Sequence, residues 1–135
     1  PEAVITSSFQ YFTPPNGFNN KSSWWRDGQR RLLSELKGSS NHLIYISDTP
    51  RPLRDIPNCL ASRDSHTCDS TQKTKNVIID GFEKIDPTSW LCTSYCPAIQ
   101  NGYVVYRDAS HISVAASLAL KQELENALIA KGLFS

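Results

Sequence analysis

The stretch His42-Leu-Ile-Tyr-Ile-Ser47 is the most strand-like part of the sequence. It is apolar without alternation between apolar and polar residues, which is typical of a strand that is covered on both faces. Strands of this kind belong to parallel sheets, in which helices pack above and below the sheet. The stretch therefore predicts a buried strand in an α/β fold.

The residues before this stretch predict a partner strand and a connecting helix. Ala3-Val-Ile-Thr-Ser7 is a short β-branched run and predicts a second buried strand. Between the two strands, residues 24–37 are predicted to be helical, because they place four apolar side chains on one helical face. These side chains are Trp25, Leu32, Leu33 and Leu36. The order strand, helix, strand predicts a right-handed crossover and a parallel pair.

The later parts of the chain predict further elements of the same two kinds. Residues 71–82 are predicted to be helical, and residues 84–86 are predicted to form a third short strand. A C-terminal helix is predicted from about Ser113 to Lys131, because its apolar residues recur at helical spacing. Those residues are Leu120, Leu124, Ala127 and Leu128.

The length and composition predict one globular domain. A chain of 135 residues can bury a single core. The net charge of +1 and the lack of a Lys/Arg run give no reason to expect a nucleic-acid partner. No apolar run approaches the roughly 20 residues that cross a bilayer, and no signal-peptide pattern is present. Because the chain starts at Pro1 and contains no Met, we expect a processed or excised piece of a longer protein.

The four cysteines fall into two local pairs, Cys59/Cys68 and Cys92/Cys96, which are nine and four residues apart. Local closure favours these two pairs as disulfides, and disulfides favour a location outside the cytoplasm. A zinc site and free thiols are the alternatives. The spacings fit no zinc ribbon or finger, and only His66, which we predict to be exposed, lies nearby. We expect no metal and no other cofactor.

Two polar or aromatic segments follow the first two predicted strands. Residues 8–20 are rich in aromatics, Pro and Asn and are predicted to form a loop, whose aromatic side chains either line a pocket or pack over the edge of the core. Asp48 and Arg51 follow the second strand, where ligands of open parallel sheets bind. The alternative is that these two are turn residues ahead of proline.

The candidate chemistry lies in the stretch from Tyr103 to Ser113. Asn101-Gly102 is a turn signal that precedes a predicted strand at Tyr103–Tyr106, and it also permits a hairpin. Asp108 and His111 follow, just ahead of the C-terminal helix. A neutral imidazole can take a proton from a serine hydroxyl, while a carboxylate on its other nitrogen fixes the tautomer. The residues alone leave open an acid–base pair and, as the alternative, a helix-capping Asp with an exposed His.

The same part of the chain resembles a known family. The blocks Cys92-Thr-Ser-Tyr-Cys-Pro97, Asn101-Gly-Tyr-Val-Val-Tyr-Arg-Asp108 and Ser110-His-Ile-Ser113 are similar to the C-terminal signature of SGNH (GDSL-like) hydrolase domains. They are most similar to the SGNH domains fused behind multi-pass membrane acyltransferases, which O-acetylate lipopolysaccharide, peptidoglycan and other envelope glycans. The segments Asp48-Thr-Pro50 and Asp55-Ile-Pro-Asn-Cys59 and the two cysteine pairs also resemble that family.

The resemblance implies a flavodoxin-like, three-layer α/β fold with a Ser-His-Asp site at the carboxyl edge of a parallel sheet. Asp108 and His111 match the acid and base positions of the family. Nothing in the chain matches the Gly-Asp-Ser block of the nucleophile or the Gly and Asn blocks of the oxyanion hole. Residues 1–135 are thus expected to be the C-terminal portion of one such domain. A missing nucleophile strand would leave a sheet edge and apolar surface uncovered.

The implied function is that of part of an extracytoplasmic serine esterase or O-acyltransferase, which acts on acyl esters, above all acetyl esters, of envelope glycans. The implied partners are the glycan or ester substrate and the N-terminal remainder of the protein, including its membrane acyltransferase domain. The 135 residues alone are expected to be inactive. As the alternative, the chain is a non-catalytic SGNH-like module that binds glycan or has a regulatory role. A zinc-stabilised interaction domain is a third, weaker alternative.

Overall fold

The computed structural model of the protein describes residues 1–17, 20–52, 54–70, 76 and 79–134. Three parallel strands form the main sheet, and they are β1 (Ala3–Ser7), β2 (His42–Ile46) and β3 (Glu83–Ile85). The strand β2 lies between the other two, with Ala3 opposite His42 and Ile46 opposite Ile85. The parallel sheet predicted from the stretch at 42–47 is therefore confirmed.

One face of the sheet is covered by the helix α1 (Lys21–Leu36). Its buried residues Trp25 and Leu33 pack with Tyr45 of β2 and with Ile79. The predicted helix at 24–37 is correct, but it begins three residues earlier, at Lys21. Leu32, which was expected on the buried face, is 46% exposed, because it lies at the border of the apolar stripe.

The opposite face is covered by the helix α6 (Lys121–Ile129). Leu128 packs there with Ile44 of β2 and Ile85 of β3. Helices on both faces make the sheet the middle of three layers, which is the predicted architecture. The predicted single helix at 113–131 is divided into α5 (Val114–Ala119) and α6, because Leu120 between them has φ −83° and ψ 0°. The division lets α5 pack away from the sheet, through the buried Ala116.

A second region lies beside the sheet and consists of short elements. These are the helices α2 (Ile56–Leu60), α3 (Ser65–Cys68) and α4 (Thr88–Leu91) and the strands β4 (Ile99–Gln100) and β5 (Tyr103–Val104). Two disulfides join them, Cys59–Cys68 and Cys92–Cys96. Their buried core includes Ile56, Leu91, Val105 and Tyr106. We call residues 54–70 and 87–120 the disulfide half, and the remaining described residues the sheet half.

Two other predictions differ from the structure. The strand expected at Tyr103–Tyr106 is only two residues long, and it pairs in antiparallel fashion with β4 rather than joining the main sheet. Asn101 (φ 49°) and Gly102 (φ 83°) form the connecting turn, so the hairpin permitted by Asn-Gly is present. The predicted helix at 71–82 falls mostly outside the described residues, and the described part, from Ile79 to Phe82, is not helical.

The outer edge of β1 is not paired with another strand among the described residues. Ile5 of this strand is 45% exposed and lines a cavity together with Phe134 and Leu133. No helix in the described part of the chain has the length and apolar content needed to cross a membrane.

Candidate functional site

The loop that carries Asp108 and His111 is closed by backbone hydrogen bonds. The residues Tyr106 and Ile112 on its two sides pair as an antiparallel bridge. The Arg107 amide donates to the His111 carbonyl at 3.0 Å, and the Ser113 amide donates to the Val105 carbonyl at 2.8 Å. We call residues 107–111 the acid–base loop. It leads directly into α5, whose first turn is capped by the Ser113 hydroxyl, which accepts from the Ala116 amide at 3.1 Å.

The Asp108 carboxylate organises this loop. Its Oδ1 accepts from the backbone amides of Ser110 and His111 at 2.7 and 2.8 Å. It also accepts from the Ser110 hydroxyl at 3.1 Å. These amides, that of His111 first, hold the pKa of the Asp108 carboxyl well below its usual range. Asp108 is therefore ionised at neutral pH and can only accept hydrogen bonds.

The imidazole of His111 bonds to the second oxygen of the same carboxylate. The distance from His111 Nδ1 to Asp108 Oδ2 is 2.8 Å. Because an ionised carboxylate has no proton to give, Nδ1 is the protonated nitrogen and Nε2 carries the lone pair. The side chain of His111 is 62% exposed, so Nε2 is within reach of a substrate. The pair has the geometry of a general base and the carboxylate that orients it.

A cavity of about 460 Å³ opens in front of this pair. Its walls come from both halves of the molecule. Ser110, His111 and Ile112 belong to the disulfide half, and Phe9, Asp48 and Thr49 belong to loops that follow β1 and β2. The cavity thus lies at the carboxyl end of the parallel strands, where α/β sheets bind their ligands.

Asp48 and Arg51, which the sequence singled out by position, take different places. Asp48 lines this cavity and also a neighbouring one, which is walled by Ile46, Trp90 and Leu120. Burial raises the pKa of the Asp48 carboxyl, although the Gln10 amide donates to it at 3.4 Å and the positive charge of Arg51 opposes the shift. The Arg51 guanidinium instead lies over the rings of Tyr11 and Phe9, 4.6 and 5.5 Å from their centroids.

Three serines are close enough in sequence or space to be considered as a nucleophile. The Ser110 hydroxyl lies 3.2 Å from His111 Nδ1, the nitrogen already bound to Asp108, and so it cannot give its proton to Nε2 from there. The Ser8 hydroxyl accepts from the Gln29 side chain at 3.1 Å. Ser7 lines the neighbouring cavity and not the one in front of His111. None of the three forms a hydrogen bond to His111 Nε2.

The cysteines and His66 have structural surroundings. All four sulfurs are bonded in the two local disulfides, which leaves no thiolate for the zinc alternative. In the part of the chain that the structure describes, no group of three or more His, Cys, Asp or Glu side chains could hold a metal ion. The side chain of His66 is 90% exposed and lies 3.6 Å from Asp69, far in sequence from the acid–base loop.

Gln10 fixes the loop after β1, although no sequence pattern marks this residue. Gln10 is a buried polar residue whose side-chain amide donates to Asn76 Oδ1 at 2.9 Å. Its backbone amide donates to Asp48, so it ties the aromatic loop to the edge of the sheet. No periodic signal marks a lone Gln inside an aromatic loop, and only the three-dimensional contacts identify it.

Comparison with known proteins places the chain in a family. The family model described as "SGNH domain (fused to AT3 domains)" matches residues 2–126. No curated protein sequence matches the chain. Among solved structures, the periplasmic domain of the Salmonella ser. Paratyphi A lipopolysaccharide acetyltransferase has a similar fold, with a TM-score of 0.64 and 19% sequence identity.

That similarity covers 96% of this chain and 57% of the Salmonella domain, and at this identity it establishes the fold alone. The chain thus spans little more than half the length of the solved domain. The family model, in contrast, covers nearly all of the chain. This chain therefore belongs to the family of SGNH domains that are fused to AT3 domains.

Proposed function

We propose that this chain supplies the acid and base of an extracytoplasmic serine esterase or O-acyltransferase, which acts on acyl esters of cell-envelope glycans. The observation that carries the proposal is the 2.8 Å contact between Asp108 Oδ2 and His111 Nδ1 in front of an open cavity. Membership in the SGNH family supports the proposal. The resemblance of the motif implies that Asp108 and His111 are the acid and base of that family. Among acyl esters, we expect acetyl esters to be the substrate.

The proposed reaction has two steps. A serine hydroxyl gives its proton to His111 Nε2 while its oxygen bonds to the acyl carbon, and the protonated imidazole then gives that proton to the departing alcohol. In the second step His111 takes a proton from water or from a sugar hydroxyl, whose oxygen attacks the acyl carbon. The bond from the acyl carbon to the serine oxygen then breaks, and the imidazolium returns the proton to that oxygen. Asp108 stabilises the imidazolium in both steps, because its carboxylate stays ionised.

The serine is proposed to come from residues other than the described ones, on a Gly-Asp-Ser block that follows a neighbouring strand. The unpaired edge of β1 and the exposed Ile5 beside it support this arrangement, because a further parallel strand can pair there. Such a strand would end beside Ser7, at the same edge of the sheet as the cavity of His111. A serine at that point could face Nε2 across the cavity.

The two disulfides support the proposed location, and membership in the family supports the proposed partner. Disulfides persist in oxidising compartments, so the bonds Cys59–Cys68 and Cys92–Cys96 favour a place outside the cytoplasm. The family is described by its fusion to AT3 domains, and we propose a membrane acyltransferase domain of that kind as the partner. The Salmonella relative in fold is a lipopolysaccharide acetyltransferase, which supports a glycan as the acyl acceptor.

The test is His111→Ala in the intact protein. We expect glycan acylation to fall by at least about 10²–10⁴-fold, the range that a general base contributes, with unfolding little changed because the side chain is exposed. His66→Ala is the matched control, since His66 is also exposed and lies outside the site. Undiminished acylation in His111→Ala would refute the proposal and favour a non-catalytic glycan-binding or regulatory module.

A second arm uses residues 1–135 alone with p-nitrophenyl acetate. Because Ser7, Ser8 and Ser110 form no hydrogen bond to His111 Nε2, we expect no turnover above the rate of free imidazole. Turnover that His111→Ala abolishes would place the nucleophile within these residues, and Ser7→Ala, Ser8→Ala and Ser110→Ala would then identify it.

A further inference from the structure

The aromatic loop, residues 8–12, forms a ridge between two cavities. Phe9 lines the cavity in front of His111, and Phe12 lines another cavity of about 240 Å³ over the start of α1. The two rings contact each other edge to face, with 5.5 Å between their centroids. Phe9 is 38% exposed and Phe12 is 53% exposed, so both present ring surface to solvent. A ligand that extends out of the catalytic cavity would pass over these rings.

The ridge is held in place by contacts on several sides. The Trp25 indole donates to the Phe9 carbonyl at 2.9 Å. Gln10 is anchored to Asp48 and Asn76 as described above, and the Arg51 guanidinium lies over Tyr11 and Phe9. Exposed aromatic rings usually cost solvation free energy, and a rigid frame that keeps them exposed is characteristic of a binding surface.

The cavity beyond the ridge has polar groups as well as rings. Trp24, Gln29 and Arg31 line it together with Phe12. The Gln29 side-chain amide donates to Ser8, and its Oε1 is buried without a hydrogen-bond partner among the described residues. The Arg31 side chain, which is exposed, adds further donors.

We propose that the aromatic loop and the face of α1 with Gln29 and Arg31 form a saccharide subsite, which binds the sugar residue next to the acylated one. Sugar rings have apolar C–H faces that pack on aromatic rings and hydroxyls at their edges that need amide and guanidinium partners. This surface offers both, and the contact between Phe9 and Phe12 joins it to the cavity in front of His111. The identification of the ligand as part of a glycan ester rests on the proposed function.

The experiment measures binding to the intact protein in the His111→Ala background, where no ester is turned over. The probes are maltotriose, mannotriose and tri-N-acetylchitotriose, each compared with its monosaccharide by calorimetry. We expect at least one trisaccharide to bind at least tenfold more tightly than its monosaccharide. Phe12→Ala and Arg31→Ala should each remove most of that preference, a loss of about tenfold in affinity.

Two variants serve as controls. Phe134→Ala removes another exposed Phe, which lines the cavity beside Ile5 at the opposite end of the strand, and Arg30→Ala removes the exposed neighbour of Arg31. Both should keep the preference for the trisaccharide. Failure of all three trisaccharides to bind, or equal losses in Phe12→Ala and Phe134→Ala, would overturn the subsite.

The outcome is separable from that of the proposed function. Binding is read without catalysis, so a saccharide site that depends on Phe12 and Arg31 stands even if His111→Ala leaves acylation intact. Conversely, loss of acylation in His111→Ala together with no difference between trisaccharide and monosaccharide would support the catalytic proposal and refute this one.

Discussion

Asp48 lines the cavity in front of His111, Asp108 bonds to His111 from the other half of the molecule, and the surroundings of the two carboxylates are opposite. Asp48 lies at the end of β2 in the sheet half, where burial raises the pKa of its carboxyl. Asp108 lies on a five-residue loop of the disulfide half, where neighbouring amides lower the pKa of its carboxyl. The sheet half has an apolar core and contributes one wall of the cavity. The disulfide half is irregular and rich in backbone donors, and it places a charged group at the surface at little cost.

The comparison shows how a small α/β domain divides its tasks. The regular elements bury apolar surface and are poor places for an ionised carboxylate, because desolvation opposes the charge. The short elements leave many amides unpaired by secondary structure, and those amides can stabilise an anion. An acid–base pair is therefore better supported on the disulfide half than at the end of a central strand.

The first test of this division of tasks between the two halves measures activity, for which we expect the largest effect. Asp108→Asn removes the charge that stabilises the imidazolium, and we expect acyl transfer by the intact protein to fall by about 10²–10⁴-fold. Asp48→Asn should cause a much smaller loss, because Asp48 forms no hydrogen bond to His111. Steady-state rates on one acylated glycan compare the two variants. Equal losses would show that both carboxylates act on the base and would contradict the division.

The next effect concerns what holds each half together. Removing the Cys59–Cys68 bond by a double Cys→Ala change frees a loop with a sequence separation of 9, and we expect it to lower the unfolding free energy by about 2–3 kcal/mol. A reductant, which opens Cys92–Cys96 as well, should lower wild-type stability by at least as much. Urea unfolding with and without reductant measures both.

Leu33→Ala is the counterpart in the sheet half, where Leu33 is fully buried. It should cost about 2–5 kcal/mol, and equally so with reductant present or absent. Leu32→Ala on the same helix controls for helix propensity, because Leu32 is largely exposed. A cost of Leu33→Ala that vanished under reducing conditions would show that the two halves are one cooperative structure held by the disulfides.

The smallest effect is on the pH dependence of stability, and its sign differs between the two carboxylates. A lowered pKa in the folded state means that Asp108 stabilises the fold above the unfolded value of about 3.9, and that this is lost as pH falls below it. A raised pKa means that Asp48 costs stability as pH rises above about 3.9. Relative to the wild type, Asp108→Asn should lose stability and Asp48→Asn should gain it on going from about pH 3 to pH 7.

Urea unfolding of the three proteins across that range checks both signs. The two variants are matched, because each replaces a carboxylate by an amide of the same shape. If the stability of both variants changed in the same direction, one of the two inferred pKa directions would be wrong.

The sequence predicted the sheet half better than the disulfide half, for a physical reason. The run at 42–47 and the helix around Trp25 and Leu33 are repetitive patterns set by burial, and such patterns are visible in a sequence. The break at Leu120 is not visible, because the apolar spacing continues across it. In place of the strand expected at Tyr103–Tyr106, the chain forms the two-residue strand β5. This strand pairs with β4 in a hairpin, because the Asn101-Gly102 turn reverses the chain.

Within the candidate site, the sequence indicated the contact between Asp108 and His111, because it is local. Two residues separate them, and a tight loop brings the side chains together. The walls of the cavity were less accessible to sequence reasoning. Phe9 and Asp48 line the same cavity as His111 only because the two halves pack together. Gln10 takes part only through contacts with residues far along the chain.

The construction of the acid–base loop also bears on how the site can change in evolution. Every hydrogen bond to the Asp108 carboxylate comes from within three residues of it, and the bridge between Tyr106 and Ile112 closes the same short segment. The internal geometry of the pair is thus inherited as one short block. Substitutions elsewhere can reshape the opposite wall of the cavity, while the contact between Asp108 and His111 stays the same.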